Sequence, residues 1–122
     1  MKKILVVDDS SFARATLRRM LERAGYEVFE ASSGFEALEL MPVVKPNLVT
    51  MDLLMPGMEG EELLSHLLKL CADCPFVVIS ADIQNTTQKL ILDAGAAGFI
   101  NKPVEEKALL DLIHKLLPDT SE

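Results

Sequence analysis

The chain has 122 residues, 49% of them apolar, and a formal charge of −7 with a pI near 4.8. That length suits one domain with a sizeable core and is short for two, and the acidic balance argues against nucleic acid, which attracts basic faces. No apolar run approaches the roughly 20 residues of a membrane span, and Lys2 and Lys3 lead straight into a short apolar run without a signal-type leader, so a cytoplasmic protein with no membrane contact is expected.

Ile4–Val7 (ILVV) reads as a strand buried on both faces. The helix after it carries Ala13, Leu17, Met20, Leu21 and Ala24 as a core stripe. Arg14, Arg18, Arg19 and Arg23 are dispersed around that helix with Glu22 among them, which reads as a solvated face rather than a phosphate-binding stripe. Glu27–Ala31 alternates polar and apolar residues and suits an edge strand. Ser33-Gly34-Phe35-Glu36 is a capping box that opens the second helix, and Pro42 is expected to close it. Leu48–Met51 is the third strand. The third helix, EELLSHLLKLC, places Leu64, Leu67, Leu68 and Cys71 on one face. Phe76–Ile79 is the fourth strand. The helix after it begins DIQNTT, with the weak helix formers Asn85, Thr86 and Thr87; it puts Thr87, Leu90, Ile91 and Ala94 on one face and ends at Gly95. Gly98–Asn101 is a short, less apolar strand and a second candidate edge. The last helix has Leu109, Leu112, Ile113 and Leu116 inward, with Glu105 and Glu106 in its first turn. Strict alternation of five strands with five helices predicts a parallel α/β sheet covered on both faces. The domain is expected to span residues 1–118, with 119–122 as a short tail.

The first strand ends in two adjacent carboxylates, Asp8 and Asp9. At an effective dielectric of about 20, unit charges ~5 Å apart repel by roughly 3 kcal/mol. Either one aspartate starts a turn while the other caps the next helix, or a cation sits between them. In a parallel α/β sheet, ligands bind beyond the carboxyl ends of the strands. Strand three ends in Asp52, strand four in Ser80 and strand five in Lys102, followed by Pro103. Three carboxylates, a hydroxyl and an ammonium thus share one rim. That set suits phosphoryl transfer to a carboxylate. Magnesium prefers one or two carboxylates plus phosphate oxygens, a carboxylate can be the nucleophile, and the transition state needs cations and donors around its equatorial oxygens. Cys71 and Cys74 form a C-x-x-C, but the helix ends at the first of them, so its dipole disfavours thiolate, and no second pair exists for zinc. His66 and His114 read as surface residues without carboxylate or cysteine partners.

At these residues the sequence resembles the receiver domain of bacterial two-component response regulators, over essentially its whole length. The resemblance implies a flavodoxin-like (βα)5 three-layer sandwich with strand order 2-1-3-4-5, which agrees with the two expected edges. It implies that Asp52, in VTMDLLMPGMEG, is the phosphoacceptor. Asp9 would be a direct Mg2+ ligand, Asp8 would hold the ion partly through water, and the backbone carbonyl of Leu54 would complete the protein ligands. Ser80, in VISAD, and Lys102 would bind the phosphoryl group, Pro103 would follow a cis bond that aims Lys102, and Phe99, in AAGFINKP, would be the aromatic switch partner of Ser80. Leu54 and Asp82 would tune the lifetime of the phosphorylated state. Glu59 and Asn47 stand where Asp is usual, away from the chemistry. The implied partners are a sensor histidine kinase or phosphotransfer protein, a possible phosphatase, and a target bound on the fourth helix, fifth strand and fifth helix. A stand-alone receiver acting in chemotaxis or a phosphorelay is expected; a piece of a longer regulator is the variant reading. Two rivals share the fold. A Mg2+-dependent phosphohydrolase forming an aspartyl phosphate commonly has a second Asp where Leu54 stands. A flavin or nucleotide module would need a Gly/Ser/Thr-rich phosphate loop where DDSSFARA stands.

Overall fold

In the computed structural model, residues 2–52, 60–71, 73–81 and 85–117 are described. Five strands, β1 (Lys3–Val7), β2 (Glu27–Ala31), β3 (Leu48–Met51), β4 (Phe76–Ser80) and β5 (Gly98–Asn101), alternate with α1 (Ser11–Arg23), α2 (Gly34–Val44), α3 (Gly60–Leu70), α4 (Asn85–Asp93) and α5 (Glu106–Leu116). The strands form one parallel sheet in the order β2-β1-β3-β4-β5. This is the flavodoxin-like arrangement, with β2 and β5 at the edges.

Alternation along the central strands divides the core in two. Leu5, Val7, Val49, Met51, Phe76 and Val78 pack with α2, α3 and Ile91 of α4. Ile4, Val6, Leu48, Val77 and Ile79 pack on the other face with Leu17 and Leu21 of α1 and Leu109 and Ile113 of α5. Burial on both faces is why β1, β3 and β4 read as unbroken apolar runs. Asn47, in place of an acid, has a structural role. Its Oδ1 accepts the Lys3 amide at 2.7 Å, fastening the entry of β3 to that of β1.

Several expectations change in detail. Pro42 lies inside α2, which continues to Val44 and is capped by Lys45 in the left-handed region (φ 52°), with the Lys45 amide bonding to the Met41 carbonyl. Buried Met41 and Val44 hold that last turn on the core, and this packing outweighs the roughly 3 kcal/mol that a proline costs a helix interior. The capping box is displaced by one residue. Ser33 Oγ accepts the Glu36 amide, but the Glu36 carboxylate accepts from the amide and hydroxyl of Ser32 instead of from Ser33. In α4, Ile91 is buried, whereas Leu90 and Ala94 of the expected inner face are exposed. Gly95 does end α4, at φ +117°, where an added Cβ would also come within 2.6 Å of Leu68 Cδ1. Glu105 is the N-cap of α5 without a capping hydrogen bond, and Glu106 occupies its first turn.

Candidate functional site

The β1–β3 register brings the strand-end aspartates side by side. Val7 pairs with Met51, and the Asp52 amide donates to the Val7 carbonyl at 3.1 Å. Asp8, the next residue of the chain after β1, donates its own amide to Ala31 of β2. Asp8 and Asp52 are only 2% and 6% exposed, while Asp9 faces solvent. One oxygen from each of the three carboxylates lies within 4.8 Å of the others. Each of the two alternatives left open by the adjacent aspartates is met only in part, since Ser10 rather than an aspartate caps α1. Asp8 does shape the turn, its Oδ1 accepting the Ser10 amide at 2.9 Å, and Ser10 Oγ caps α1 through the Ala13 amide at 3.2 Å. A cation does lie in the cluster, but between Asp8 and Asp52 rather than between the adjacent pair: Lys102 Nζ donates to Asp8 Oδ2 at 3.0 Å and to Asp52 Oδ2 at 2.8 Å.

Lys102 reaches the site because its backbone continues the β4–β5 ladder, its amide donating to the Ser80 carbonyl at 2.9 Å. Burial alone would lower the Lys102 pKa, but its hydrogen bonds to Asp52 and Asp8 outweigh that and raise it above the usual lysine value. The Lys102–Pro103 bond is cis. Ser80 closes β4 and is fully buried. Phe99 is half-buried on β5 and packs against the core cluster under α2, α3 and α4. Leu54, Glu59 and Asp82 lie outside the described residues. Two carboxylates beside a third, all hard oxygen donors, match the ligand preference of Mg2+. Asp8 already accepts on both oxygens, from the Ser10 amide and from Lys102 Nζ.

A profile of the family described as the response regulator receiver domain matches residues 4–114. The chain is a response regulator receiver domain. It is 36% identical over 116 residues to the chemotaxis protein CheY of Thermotoga maritima, covering 94% of this chain and 97% of that one. The receiver superimposes on a CheY-like receiver domain protein from Methanospirillum hungatei with a TM-score of 0.91 at 32% identity, over 99% and 97% of the two chains. It also matches the crystal structure of the CheX–CheY–BeF3–Mg2+ complex from Borrelia burgdorferi, with a TM-score of 0.90 at 28% identity over 95% and 89%. The family assignment favours neither the phosphohydrolase nor the flavin reading.

Other residues of the receiver fall into place around this rim. Cys74 is a buried thiol whose pKa is pushed up to about 12 by burial and by neighbouring Cys71, so it is not a thiolate at neutral pH. His66 is exposed as expected, but its Nε2 lies 3.9 Å from Glu62 of the same helix, so it does have a carboxylate neighbour. His114 is exposed, with its ring 6.2 Å from that of Tyr26. The arginines of α1 are not a uniform solvated face. Arg14 and Arg18 both pair with Glu30 of β2, and Arg23 pairs with Glu106 of α5. Arg14 also donates from Nη1 to the Asp8 backbone carbonyl at 2.7 Å. Sequence reasoning missed Arg14 and Glu30 as neighbours of the site. The only signal was that Arg14 lies one turn into the helix that follows the aspartates.

Proposed function

We propose that the receiver is a phosphorylation-controlled protein-interaction switch in which Asp52 accepts a phosphoryl group from a phosphohistidine. The observation that carries this reading is the convergence of Asp8, Asp9 and Asp52 with the Lys102 ammonium at matching ends of β1, β3 and β5. An Asp52 carboxylate oxygen attacks phosphorus, and the P–N bond breaks. Its electron pair returns to the donor imidazole, which is protonated as it leaves. Lys102 shifts its donation from the Asp52 carboxylate to an oxygen of the arriving phosphoryl group, and Ser80 supplies a hydroxyl from the neighbouring strand. Asp9 and Asp52, with Asp8 behind them and the Leu54 carbonyl, would hold Mg2+, which supplies positive charge to the transferring oxygens. The Borrelia relative, solved with BeF3, Mg2+ and CheX, supports a divalent ion, a phosphoryl-like ligand and a protein partner for this fold. The receiver acts as a signalling phosphoacceptor, turning over only its own phosphoryl group.

Two exposed apolar features support the partner assignments. Phe12, 80% exposed, adjoins a cavity of about 260 Å3 lined by Ala13, Leu17, Pro103 and Val104 beside Lys102, where a donor protein could dock. Leu90 and Leu92 are exposed on α4, next to β5 and its Phe99, and suit an output target on the α4–β5–α5 side. Phe99 and Ser80 would couple the two regions. The test is incubation with acetyl phosphate and Mg2+ followed by intact mass. Wild type gains one phosphoryl group and Asp52→Asn gains none. Equal modification of the variant would refute the assignment.

A further inference from the structure

We propose that Arg14 is a positioning residue for the metal-binding carboxylate of Asp9, acting through the peptide that joins Asp8 to Asp9. This rests on the proposed phosphoacceptor reading of the site. The Asp9 side chain has no hydrogen-bond partner among the described residues, although its oxygen lies within 4.8 Å of those of Asp8 and Asp52. Among the described residues, what holds it is its backbone. The amide side of Asp8 is fixed by the last β1–β2 ladder bond, to Ala31. Strand β2 ends there and turns into the cap of α2, so the ladder offers the Asp8 carbonyl no further amide. Arg14 replaces that missing donor, with Nη1 at 2.7 Å from the Asp8 oxygen.

The guanidinium is itself held. Arg14 Nε donates to Glu30 Oε1 at 3.0 Å, while the other Glu30 oxygen accepts from Arg18. Arg18 in turn donates to the Val28 carbonyl at 3.2 Å and to Glu22 at 3.0 Å. A planar fork with donors on two edges can bridge a carboxylate and a carbonyl in one fixed orientation; an ammonium cannot. The Arg14 side chain is 17% exposed, so this bracket is shielded from solvent in a way that pairs such as Lys107–Asp111 are not. Without it the Asp8–Asp9 peptide keeps only the Asp8 amide bond to Ala31 and the Ser10 amide bond to the Asp8 side chain, and a tilt of that peptide swings the Asp9 carboxylate out of line with Asp52. Because Glu30 balances the charge of Arg14, the effect on the ion is one of geometry more than of net field.

Outer partners of metal ligands typically change metal affinity by about 10–100-fold when removed. The experiment is Mg2+ titration by calorimetry and by amide NMR shifts of Asp9 and Ser10, with metal-free thermal unfolding measured beside it. Arg14→Lys, which keeps the charge but not the fork, and Glu30→Gln are expected to weaken Mg2+ about tenfold and to shift the metal-free Asp9 amide. Asn47→Ala removes the fastening between the entries of β1 and β3 without touching Asp8, Arg14 or Glu30. It is expected to lower the thermal midpoint while leaving Mg2+ affinity at the wild-type value. Wild-type affinity in Arg14→Lys, or equal weakening in Asn47→Ala, would overturn the positioning role while leaving the phosphoacceptor reading standing. A wild type that binds no Mg2+ would overturn both.

Discussion

Replacing Lys102 with methionine should destabilise the metal-free protein and at the same time tighten its hold on Mg2+. The ammonium stands 2.8 Å from Asp52 and 3.0 Å from Asp8. At an effective dielectric of about 20, each contact is worth about 5–6 kcal/mol, and a carboxylate pair separated by the full 4.8 Å that bounds the cluster repels by about 3.5 kcal/mol. Lys102 therefore offsets most of the repulsion among the three acids. Exposure of Asp9 and of a quarter of the Lys102 side chain screens these values. Removing one partner of a buried pair costs about 3–5 kcal/mol, so a loss of about 2–3 kcal/mol is expected for this partly exposed one. The ion and the ammonium compete for the same two carboxylates, and relief of only about 1.4 kcal/mol of that competition raises Mg2+ affinity about tenfold. Urea unfolding of wild type and Lys102→Met, each with and without MgCl2, measures both effects. The folded-state pKa of Lys102 is raised from 10.5, so its stabilisation is complete below that pH and is lost as pH rises through the folded value. The difference between the two proteins should accordingly hold at neutral pH and shrink above about 10.5. Unchanged stability together with unchanged Mg2+ affinity would refute the reasoning, because the ammonium would then be uncoupled from the acids.

The Thr50 hydroxyl is buried with no hydrogen-bond partner among the described residues, and an unsatisfied group of this kind costs about 1–3 kcal/mol; Thr50→Val should therefore raise the urea midpoint, and a lower midpoint would reveal a use for the hydroxyl. Partial burial pushes the Glu30 carboxyl up, but its hydrogen bonds from Arg18 and Arg14 prevail and leave it below the ordinary 4.5. Its stabilisation is present above that pH and lost as pH falls through the folded value, so wild type and Glu30→Gln should converge in stability in acid; a constant gap down to acid unfolding would count against the pairing. Leu54→Asn should shorten the phosphorylated lifetime several-fold with Mg2+ binding nearly intact. The resemblance to receiver domains implies that Leu54 flanks the line of attack, where an apolar side chain would hinder an ordered water, and positioning of this sort is worth up to about 10²-fold in rate. Slower or equal decay without added phosphatase would contradict it.

The strands were legible because β1, β3 and β4 are buried on both faces and so carry apolar residues at nearly every position, while β2 and β5 show their edge status in mixed composition. The rim was legible for a related reason. Polar residues that terminate such strands must lie at one end of the sheet, so Asp8, Asp52, Ser80 and Lys102 could be gathered without coordinates. What escaped depends on long-range partners. Nothing local to Arg14 shows that its partner is Glu30 on another element, or that its second edge meets the Asp8 carbonyl. Helical periodicity also misplaced the inner face of α4. Leu90 is 57% exposed there, and the helix is anchored on the core through Ile91. Local propensity alone would stop α2 at Pro42, whereas burial of Met41 and Val44 decides how far the helix runs.

The most direct test of the phosphoacceptor assignment is chemical. An aspartyl phosphate is an acyl phosphate, and borohydride reduces it to homoserine, whereas phosphoesters of serine or threonine survive. The receiver is incubated with acetyl phosphate and Mg2+, reduced, digested and sequenced by mass spectrometry. The account predicts homoserine at position 52 and nowhere else. Homoserine at position 8 or 9, or none at all in protein shown to be folded and to bind Mg2+, would contradict it.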